Sequence, residues 1–439
     1  MNTPHTYDII GIGIGPFNLS LAALLQPVSR INAIFFDQAP GFDWHPGLML
    51  SNATLQVPFM ADLVTMADPT SEYSFLNYLK QSGRLYKFYI REDFFILRKE
   101  YNAYCKWAAE KLSACRFSHK VTEVHYEEDR QLYAVSTVHT VTGKTALHYT
   151  RKLVLGTGTQ PYLPAFAKKG ILPDVIHTSE YLNYKDRIGG KRSVTVIGSG
   201  QSAAEVFADL LPLAEEGMQL NWFTRPDRFF PMEYSKLTLE LTSPEYVDYF
   251  YSMPPESRQE LLSKQNPLFK GINYDLINQI FDTLYGMSVD RDISHIQLRP
   301  NVQLNDISAS GNNSYTLDLT QVQQQRSFTQ ETDFVILATG YKYREPAFLE
   351  GISERIMRRE DQLFDVQRNY AIDLHGDEIF VQNAELHTHG FVTPDLGMGA
   401  YRNSCIINAV AGEEIYHVEK RIAFQQFGVE SSIPTLTAI

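Results

Sequence analysis

The sequence predicts an α/β protein with two Rossmann-like domains and a small helical region. A short apolar run, a glycine-rich turn and an apolar run with helical spacing follow one another twice, once from Tyr7 and again from Ser193. Residues 228–299 differ in character, because they are rich in Tyr, Phe, Leu and helix-forming residues with scattered prolines. Each repeated unit is typical of a parallel sheet, and the segment after the second unit is typical of a helical insertion.

The first unit opens at the amino terminus. Residues 7–12 are predicted as a strand, residues 17–25 as a helix and residues 31–36 as a second parallel strand, which completes a βαβ unit. The turn between strand and helix is G-I-G-I-G-P, from Gly11 to Pro16. A turn of this composition between a strand and a helix favours a phosphate-binding loop.

The spacing of the glycines assigns a role to each position. The turn fits G-x-G-x-x-(G/A/P), in which Gly11 permits the tight bend and Gly13 lets the backbone approach a pyrophosphate. Gly15 and Pro16 then lead into the helix, whose amides face the phosphates. Asp37 ends the second strand, where an acidic residue bonds the adenosine ribose of a dinucleotide. The alternative is a glycine turn that serves packing alone.

The second unit repeats this pattern with one change. Its strand, turn and helix occupy residues 193–211, and its second strand occupies residues 220–223. The turn fits G-x-G-x-x-A at Gly198, Gly200 and Ala203. One such loop is a weak signal, whereas two loops in strand–turn–helix context are strong support for two dinucleotide sites.

The residues around the second turn favour a phosphorylated nicotinamide nucleotide. Gln201 and Ser202 open the helix and are assigned to the same site. The following strand ends in T-R-P instead of an acid, and the guanidinium of Arg225 suits the 2′-phosphate of NADPH. The alternative is a solvated loop arginine. The two loops together predict FAD and NADPH as cofactors, and hence hydride transfer from NADPH to flavin.

Charge and composition exclude several other classes of protein. The 39 Lys and Arg residues against 51 Asp and Glu give a net charge of −12, which disfavours nucleic acid and an anionic membrane as partners. The apolar runs are far shorter than a membrane span and the amino terminus lacks a secretory pattern, so a cytoplasmic protein is expected. Three cysteines without a C-x-x-C pair support neither a zinc site nor a disulfide reductase, and no metal is assigned.

Six segments carry a resemblance to a known family. They are GIGPFNLSLAAL, FDWHPGLML, LQVPFMADLVTMADPTSEYSFLNYL, VIGSGQSAAE, INYDLI and LATGY. Together they resemble the siderophore-pathway N-hydroxylating flavin monooxygenases, the lysine and ornithine N-monooxygenase family, over residues 7–408. Generic flavoproteins share the glycines but not the W-H-P-G or D-P-T-S segments.

The resemblance implies both an architecture and a reaction. It implies a discontinuous FAD-binding domain (residues 1–165 and 330–439), an NADPH-binding domain (166–229 and 300–329) and a helical substrate-covering region (230–299). It also implies that reduced flavin captures oxygen as a hydroperoxide, which then hydroxylates the nitrogen of a small-molecule amine. A homo-oligomer, dimer or tetramer, is expected.

Site residues follow from the same resemblance, position by position. Trp44 and His45 match a flavin-contacting pair, and Gln56 matches a glutamine beside the isoalloxazine ring, which makes Gln56 a candidate catalytic residue. Asn273 matches an asparagine that touches both NADP and substrate, and it is the second catalytic and substrate-binding candidate. The structural alternatives are a core aromatic for Trp44 and a helix cap for Asn273. The remaining cofactor-binding assignments are Gly340, Tyr341 and Leu396.

One departure from the family pattern bears on the substrate. The amino acid hydroxylases of the family have F-L-K-D-L, whose lysine binds the substrate carboxylate, whereas this chain has F-M-A-D-L with Ala61. A carboxylate buried there without a cation would bind weakly. The inferred substrate is therefore a diamine, cadaverine or putrescine, as in desferrioxamine-type siderophore biosynthesis. Histamine, L-lysine and L-ornithine are the alternatives. Glu233, Asp62 and Asp275 are candidates to hold the far ammonium, and Glu233 is preferred.

Other functions remain open at this point. A flavin reductase or NADPH oxidase would use the same loops without oxygenating a substrate, and a regulatory protein would bind the cofactors without turnover. The H-T-H segment at His387 and His389 raises a metal site or, together with His45, a general base. No acid or cysteine lies at a spacing that supports the metal, so structural histidines are favoured.

Overall fold

The computed structural model describes residues 6–168, 172–311 and 314–429. Its strands are β1 (Thr6–Ile12), β2 (Ala33–Phe36), β3 (Thr54–Pro58), β4 (Phe95–Leu97), β5 (Cys115–Arg116), β6 (His119–Glu127), β7 (Leu132–His139), β8 (Thr145–Leu155), β9 (Thr159–Pro161), β10 (Val175–His177), β11 (Ser193–Ile197), β12 (Gln219–Phe223), β13 (Ile296–Arg299), β14 (Val302–Ala309), β15 (Tyr315–Gln321), β16 (Arg326–Thr332), β17 (Phe334–Leu337), β18 (Tyr341–Tyr343) and β19 (Ile379–Val381).

The helices lie between and after these strands. They are α1 (Pro16–Leu25), α2 (Phe75–Gln81), α3 (Leu85–Arg91), α4 (Arg98–Lys111), α5 (Tyr181–Gly189), α6 (Gln201–Glu215), α7 (Lys236–Leu239), α8 (Pro244–Ser252), α9 (Pro255–Lys264), α10 (Asn266–Phe269), α11 (Tyr274–Asp290), α12 (Leu386–His389) and α13 (Gly399–Ala411). Short 3-10 helices occupy Pro46–Leu48, Ala165–Lys168, Thr178–Glu180, Ala347–Arg355 and Leu396–Met398. No helix in the described part of the chain combines the length and the apolarity that a membrane crossing requires.

The first sheet is a Rossmann sheet extended by a meander. β5, β2, β1 and β8 run parallel, and Ile10 of β1 pairs with Ile34 on one side and Leu153 on the other. β19 is parallel to the end of β8, whereas β7 and β6 continue antiparallel from its beginning. α1 and α4 pack on this sheet through a core that includes Leu21 and Tyr104. The βαβ unit predicted at the amino terminus is therefore confirmed.

The second sheet is parallel throughout, in the order β10, β17, β11, β12, β13. Val196 of β11 pairs with Trp222 of β12 and with Ile336 of β17. α6 packs on this sheet, and α11 packs on α6 through a core that contains Val206 and Ile280. β14, β15 and β16 form a separate antiparallel sheet. The second predicted βαβ unit is thereby confirmed, and the α/β class holds for both halves.

The chain passes between the two sheets twice. It leaves the first sheet through β9 and returns through β18, and these short strands pair antiparallel, with Tyr341 opposite Pro161. β17 belongs to the second sheet, so the limit expected at residue 330 falls inside β16 and ahead of the crossing. β13, within residues 230–299, also belongs to the second sheet. A fully buried apolar strand has the same pattern in either sheet, so the sequence does not show which one it joins.

Helices α7 to α11 make up most of residues 230–299, which confirms the helical character of that segment. They do not share one core. Val247 and Phe250 of α8 pack against Phe391 and Val392, which follow α12. α11 instead packs on α6. The helical segment therefore joins the second sheet to the carboxyl-terminal part of the chain.

Candidate active site

The tight bend of the first glycine loop lies two residues later in the chain than the motif predicts. Gly11 lies inside β1, where an added Cβ would sit 2.1 Å from the Phe35 ring, so the assignment of the tight bend to Gly11 is wrong. Gly13 has a φ of +89°, and a Cβ there would lie 2.4 Å from the Gly156 carbonyl oxygen. Gly15 is the N-cap of α1 and Pro16 its first residue. The bend is therefore at Gly13, and Gly15 opens the helix.

Asn18 takes the last position of this corrected motif, Gly13-x-Gly15-x-x-Asn18. Its side chain is fully buried, and its Nδ2 donates to the Gly13 carbonyl oxygen (2.8 Å). Its Oδ1 accepts from Nε2 of Gln382 (2.6 Å). The amide fixes the loop from beneath. A search for Gly, Ala or Pro at the last position misses this residue, because an asparagine is not expected there.

The second loop has the equivalent geometry at Gly198, Gly200 and Ala203. Gly200 is the N-cap of α6, neither α1 nor α6 has a side-chain cap, and Ala203 is fully buried. Matching backbone hydrogen bonds hold both loops: Gly13 N to Phe36 O (2.8 Å) and Gly156 N to Ile12 O (2.8 Å) in the first, Gly198 N to Phe223 O (3.0 Å) and Ala338 N to Ile197 O (2.7 Å) in the second. Uncapped helix amides behind a glycine turn fit a dinucleotide pyrophosphate in both places.

Asp37 braces the first loop as well as ending β2. Its Oδ2 accepts from the backbone N–H of Ile14 (2.7 Å) and its Oδ1 from that of Ala39 (2.8 Å). The carboxylate is half-buried and each oxygen keeps a free lone pair. It therefore lies against the loop in an orientation that suits a ribose diol.

The end of β12 presents positive charge beside the second loop. Arg225 is exposed, and no ion pair involves it within the described residues. Burial and the charge of Arg225 lower the pKa of Lys270. The Lys270 carbonyl oxygen lies 3.4 Å from the position of a Cβ on Gly200, and Ser202 is half-buried in the first turn of α6. Lys270 is therefore a second cation near Arg225, where the sequence predicts a single arginine.

Gln56, Gln201 and Asn273 meet between the two sheets, the first two through their side chains and Asn273 through its backbone, and we call these three residues the amide junction. Oε1 of Gln201 accepts from Nε2 of Gln56 (3.2 Å) and from the backbone N–H of Asn273 (2.8 Å). Asn273 is the N-cap of α11, and its Oδ1 accepts from the backbone N–H of Asp275 and Leu276. Its Nδ2 has no hydrogen-bond partner in the described part of the chain. The cap function alone therefore does not use up the side chain.

An ion pair buried beneath the amide junction orients it. Nε2 of Gln201 donates to Oε1 of Glu205 (2.9 Å). Arg98 holds Glu205 with two bonds, of 2.7 and 3.0 Å, and also donates to the Leu48 carbonyl oxygen (3.2 Å). The exposed fractions of the two charged side chains are only 12% and 5%. Because Arg98 begins α4 and Glu205 lies in α6, this pair ties the flavin-side segment to the helix of the second loop.

The W-H-P-G segment forms a sharp corner beside β18. His45 has a φ of +50°, and a Cβ on Gly47 would lie 1.9 Å from the Ser179 carbonyl oxygen. The His45 ring lies 5.0 Å from that of Trp44 and 5.6 Å from that of Tyr341, which follows Gly340. Desolvation and the positive charge of Arg98 lower the pKa of His45 to about 4, although the residue is exposed on one side. The imidazole is therefore neutral at pH 7, with one ring N–H and one unprotonated ring nitrogen.

Ala61 and Asp62 have separate tasks. Ala61 is buried, 6% exposed, and brings no charge. Asp62 is also buried and accepts from Val64 N, Thr65 N, Thr65 Oγ1 and Phe75 N at 2.6 to 2.9 Å. Four donors saturate this carboxylate, so its candidacy for a substrate ammonium is wrong. The sequence cannot separate a capping aspartate from a binding one, since both follow the same apolar run.

The other two carboxylate candidates are exposed. Glu233 follows Met232, whose backbone N–H donates to Ile272 O (2.8 Å), and this contact brings it near Asn273. Asp275 lies in the first turn of α11. Neither carboxylate has a partner within the described residues. Leu396 is half-buried at the start of the 3-10 helix Leu396–Met398, which lies against β3.

Comparison with known proteins identifies the family. The model for L-lysine 6-monooxygenase/L-ornithine 5-monooxygenase matches residues 5–343. The chain belongs to this family. The sequence-based resemblance and the assignment as a monooxygenase are thereby confirmed.

Individual relatives cover nearly the whole chain. The putrescine N-hydroxylase of Shewanella oneidensis is 50% identical over 422 residues, which are 96% of this chain and 84% of that protein. The putrescine N-hydroxylase of Acinetobacter baumannii is 46% identical over 428 residues, 97% of this chain and 95% of that one. The FAD-bound cadaverine monooxygenase of the Erwinia amylovora desferrioxamine biosynthetic pathway gives a TM-score of 0.95 at 52% identity, covering 98% of this chain and 100% of that one.

The histidines of the H-T-H segment are structural in this family member. Nε2 of His387 bonds the Phe364 carbonyl oxygen (2.8 Å), and Nε2 of His389 bonds that of Arg368 (3.2 Å). Burial lowers the pKa of both. Within the described residues, no group of three or more His, Cys, Asp or Glu side chains is arranged to hold a metal ion.

Proposed function

We propose that this chain hydroxylates one amine nitrogen of a small aliphatic diamine, cadaverine or putrescine, in hydroxamate siderophore biosynthesis. The observation that carries the proposal is Ala61, a small uncharged side chain where the amino acid hydroxylases use lysine for the substrate carboxylate. The putrescine and cadaverine specificities named for three relatives support it. A carboxylate without a cationic partner would pay several kcal/mol of desolvation at this position.

The cofactors of the proposed reaction are FAD and NADPH. The loop from Gly13 to Asn18, with Asp37, would hold FAD, and the loop from Gly198 to Ala203, with Arg225, would hold NADPH. Reduced FAD supplies the chemistry that activates oxygen. One oxygen atom of O₂ enters an N–H bond to give a hydroxylamine, and the other leaves as water. NADPH and one proton together supply the two electrons and both hydrogens of that water.

In this proposal the protein positions the cofactors and the substrate and shields them from water, and it provides no nucleophile. Gln56 and Asn273 project from two different segments into one junction, so they are proposed to orient flavin and substrate relative to NADP. The neutral His45 ring, tilted against Trp44 and edge-on to Tyr341, is proposed to help shield the site from water. The amine must be bound with its lone pair free, which a neutral surrounding favours.

We also propose that the chain divides into two parts, one around each sheet. Their boundaries differ slightly from the domain limits expected from the sequence. The FAD-binding part is residues 1–161 and 341–439, and the NADPH-binding part is the intervening segment, which includes α11. A cytoplasmic location is proposed because the reaction consumes NADPH.

A homo-oligomer, dimer or tetramer, is proposed for the assembly. Tyr86, Tyr89 and Ile90 of α3 are 79%, 75% and 74% exposed, and Phe281 and Tyr285 of α11 are 65% and 66% exposed. Exposed apolar clusters of this size favour a protein interface. Light scattering of wild type and of Tyr89→Glu tests it: a smaller mass is expected for the variant, and a monomeric wild type contradicts the proposal.

The substrate assignment is tested with a panel of cadaverine, putrescine, histamine, L-lysine and L-ornithine. Hydroxylamine, peroxide and NADPH consumption are measured in parallel. Hydroxylamine in proportion to NADPH with a diamine is expected. Preference for lysine or ornithine would contradict the inference from Ala61, and peroxide without hydroxylamine on every substrate would favour an NADPH oxidase instead.

A further inference from the structure

Asp395 presents an unused carboxylate oxygen at the edge of the site. The residue precedes the 3-10 helix Leu396–Met398, and its Oδ1 accepts from the backbone N–H of Gly397 (2.7 Å). This bond fixes the plane of the carboxylate. Oδ2 has no hydrogen-bond or ion-pair partner within the described residues, and Asp395 is only partly exposed. One oxygen is therefore oriented by the protein and the other remains free for a ligand.

Asp395 and Ala61 share the same space. A Cβ placed on Gly397 would lie 3.1 Å from Oδ1 of Asp395 and 3.7 Å from Cβ of Ala61. The 3-10 helix that carries Gly397 also lies against β3, the strand of Gln56. The carboxylate is thus next to the position where a lysine is absent and close to the strand that faces the amide junction.

No ion pair joins this carboxylate to a cation within the described residues, although the charge of Arg402 acts on it and opposes the effect of burial on its pKa. Arg402 lies nearby, but it is 2% exposed and paired with the fully buried Glu385 (3.1 Å). Burial raises the pKa of Asp395. Burial and the charge of Asp395 also raise the pKa of the neighbouring Tyr234 phenol. A desolvated, unpaired carboxylate is costly, and a bound cation would offset that cost.

We propose that Asp395 binds the far ammonium of the diamine, and that Ala61 leaves the room for it. This assignment rests on the proposed function, since it requires a substrate with two amines. It replaces Glu233, which is exposed to solvent and gains little from pairing with a cation. With Ala61 in place of a lysine, the charge next to this space is the anion of Asp395, which suits an ammonium and not a carboxylate.

Asp395→Asn tests the assignment, because its amide oxygen can still accept from Gly397 N and preserve the fold. The KM for cadaverine and putrescine is expected to rise about 10- to 100-fold, as for loss of a charge-assisted hydrogen bond, with NADPH-driven flavin reduction unchanged. Pentylamine, which lacks the far ammonium, should be a poor substrate of the wild type. Its KM should differ less than threefold between the wild type and Asp395→Asn. Asp290→Asn, at the exposed end of α11, is the matched control for loss of one charge.

The outcomes separate the two proposals. An unchanged diamine KM in Asp395→Asn, or an equal loss for cadaverine and pentylamine, overturns the assignment while leaving diamine hydroxylation standing. A raised KM in Glu233→Gln with an unchanged KM in Asp395→Asn moves the ammonium site to Glu233. If the wild type prefers lysine or ornithine, the proposed function fails, and the Asp395 assignment fails with it.

Discussion

The buried ion pair between Arg98 and Glu205 gives the sharpest quantitative expectation. Arg98→Met removes both charge-assisted bonds, of 2.7 and 3.0 Å, and leaves Glu205 with Gln201 Nε2 as its remaining partner. Breaking one side of a buried pair costs about 3–5 kcal/mol. The expected loss of unfolding free energy is near the lower limit of this range, about 3 kcal/mol, because the bond from Gln201 survives and Arg98 is 12% exposed.

The assay is thermal unfolding of the FAD-loaded protein in a double-mutant cycle. Arg98→Met should lower the midpoint by about 3 °C, given an unfolding entropy of about 0.9 kcal/mol/K for a chain of this size. The double variant Arg98→Met with Glu205→Gln should recover more than half of that loss, because its buried side chain is neutral. Strictly additive shifts would refute the reasoning, since they would mean that the two charges do not interact.

An exposed pair provides the matched control. Arg192 holds Asp333 with two bonds of 3.1 Å each, yet the Arg192 side chain is 85% exposed. Arg192→Met should therefore shift the midpoint much less than Arg98→Met, because water replaces the lost bonds. An equal shift in the two variants would show that burial is not the source of the effect.

Three further outcomes are expected. Gly11→Ala should destabilise the apoprotein, because the added Cβ would collide with the Phe35 ring. Gly15→Ala should fold normally and lose FAD, because no protein atom lies within 4 Å of its added Cβ. Thermal unfolding measures the stability and FAD absorbance after gel filtration measures the binding; equal FAD retention in the two variants would contradict the corrected motif. Ala61→Lys should raise the diamine KM about 100-fold, because the new lysine ammonium would lie roughly 5 Å from the substrate ammonium at an effective dielectric constant of about 20. The uncharged Ala61→Met is the control, and equal KM values in the two variants would show a steric effect only. With a His45 pKa of about 4 against an ordinary 6.5, the folded imidazole resists protonation, so its contribution to stability is present above pH 6.5 and is lost as the pH falls toward 4; a pH-independent midpoint difference between wild type and His45→Gln would contradict this.

The sheets could be predicted from the sequence because their signal is local. Each Rossmann unit needs an apolar strand, a glycine turn and a periodic helix within about 30 residues, and all three are visible at residues 7–36 and 193–223. The register of the first motif could not be predicted, because Gly11, Gly13 and Gly15 satisfy two overlapping spacings. The Phe35 ring, brought against Gly11 by strand pairing, decides between them.

Site residues could be predicted from the sequence only where the residue type at one position matches the family pattern. Gln56 and Asn273 follow from the family pattern, and the structure brings both to Gln201. The roles of Asp62 and Asp395 depend instead on how many donors reach each carboxylate. Asp62 receives four and Asp395 one, a difference set by loop conformation that no local spacing of residues reveals.

The amide junction connects the segments that carry the two proposed dinucleotide sites. Gln201 is the first residue of α6, directly after the N-cap glycine, so a phosphate at that helix end lies next to its side chain. The same side chain contacts Gln56 on the flavin-side strand and the N-cap of α11. Any shift of Gln201 on NADPH binding must therefore break or remake bonds on both sides. Because Glu205 and Arg98 restrain Gln201 from below, we expect its movement to be confined to a few alternative hydrogen bonds, and we predict that NADPH binding is coupled through them to the geometry on the flavin side.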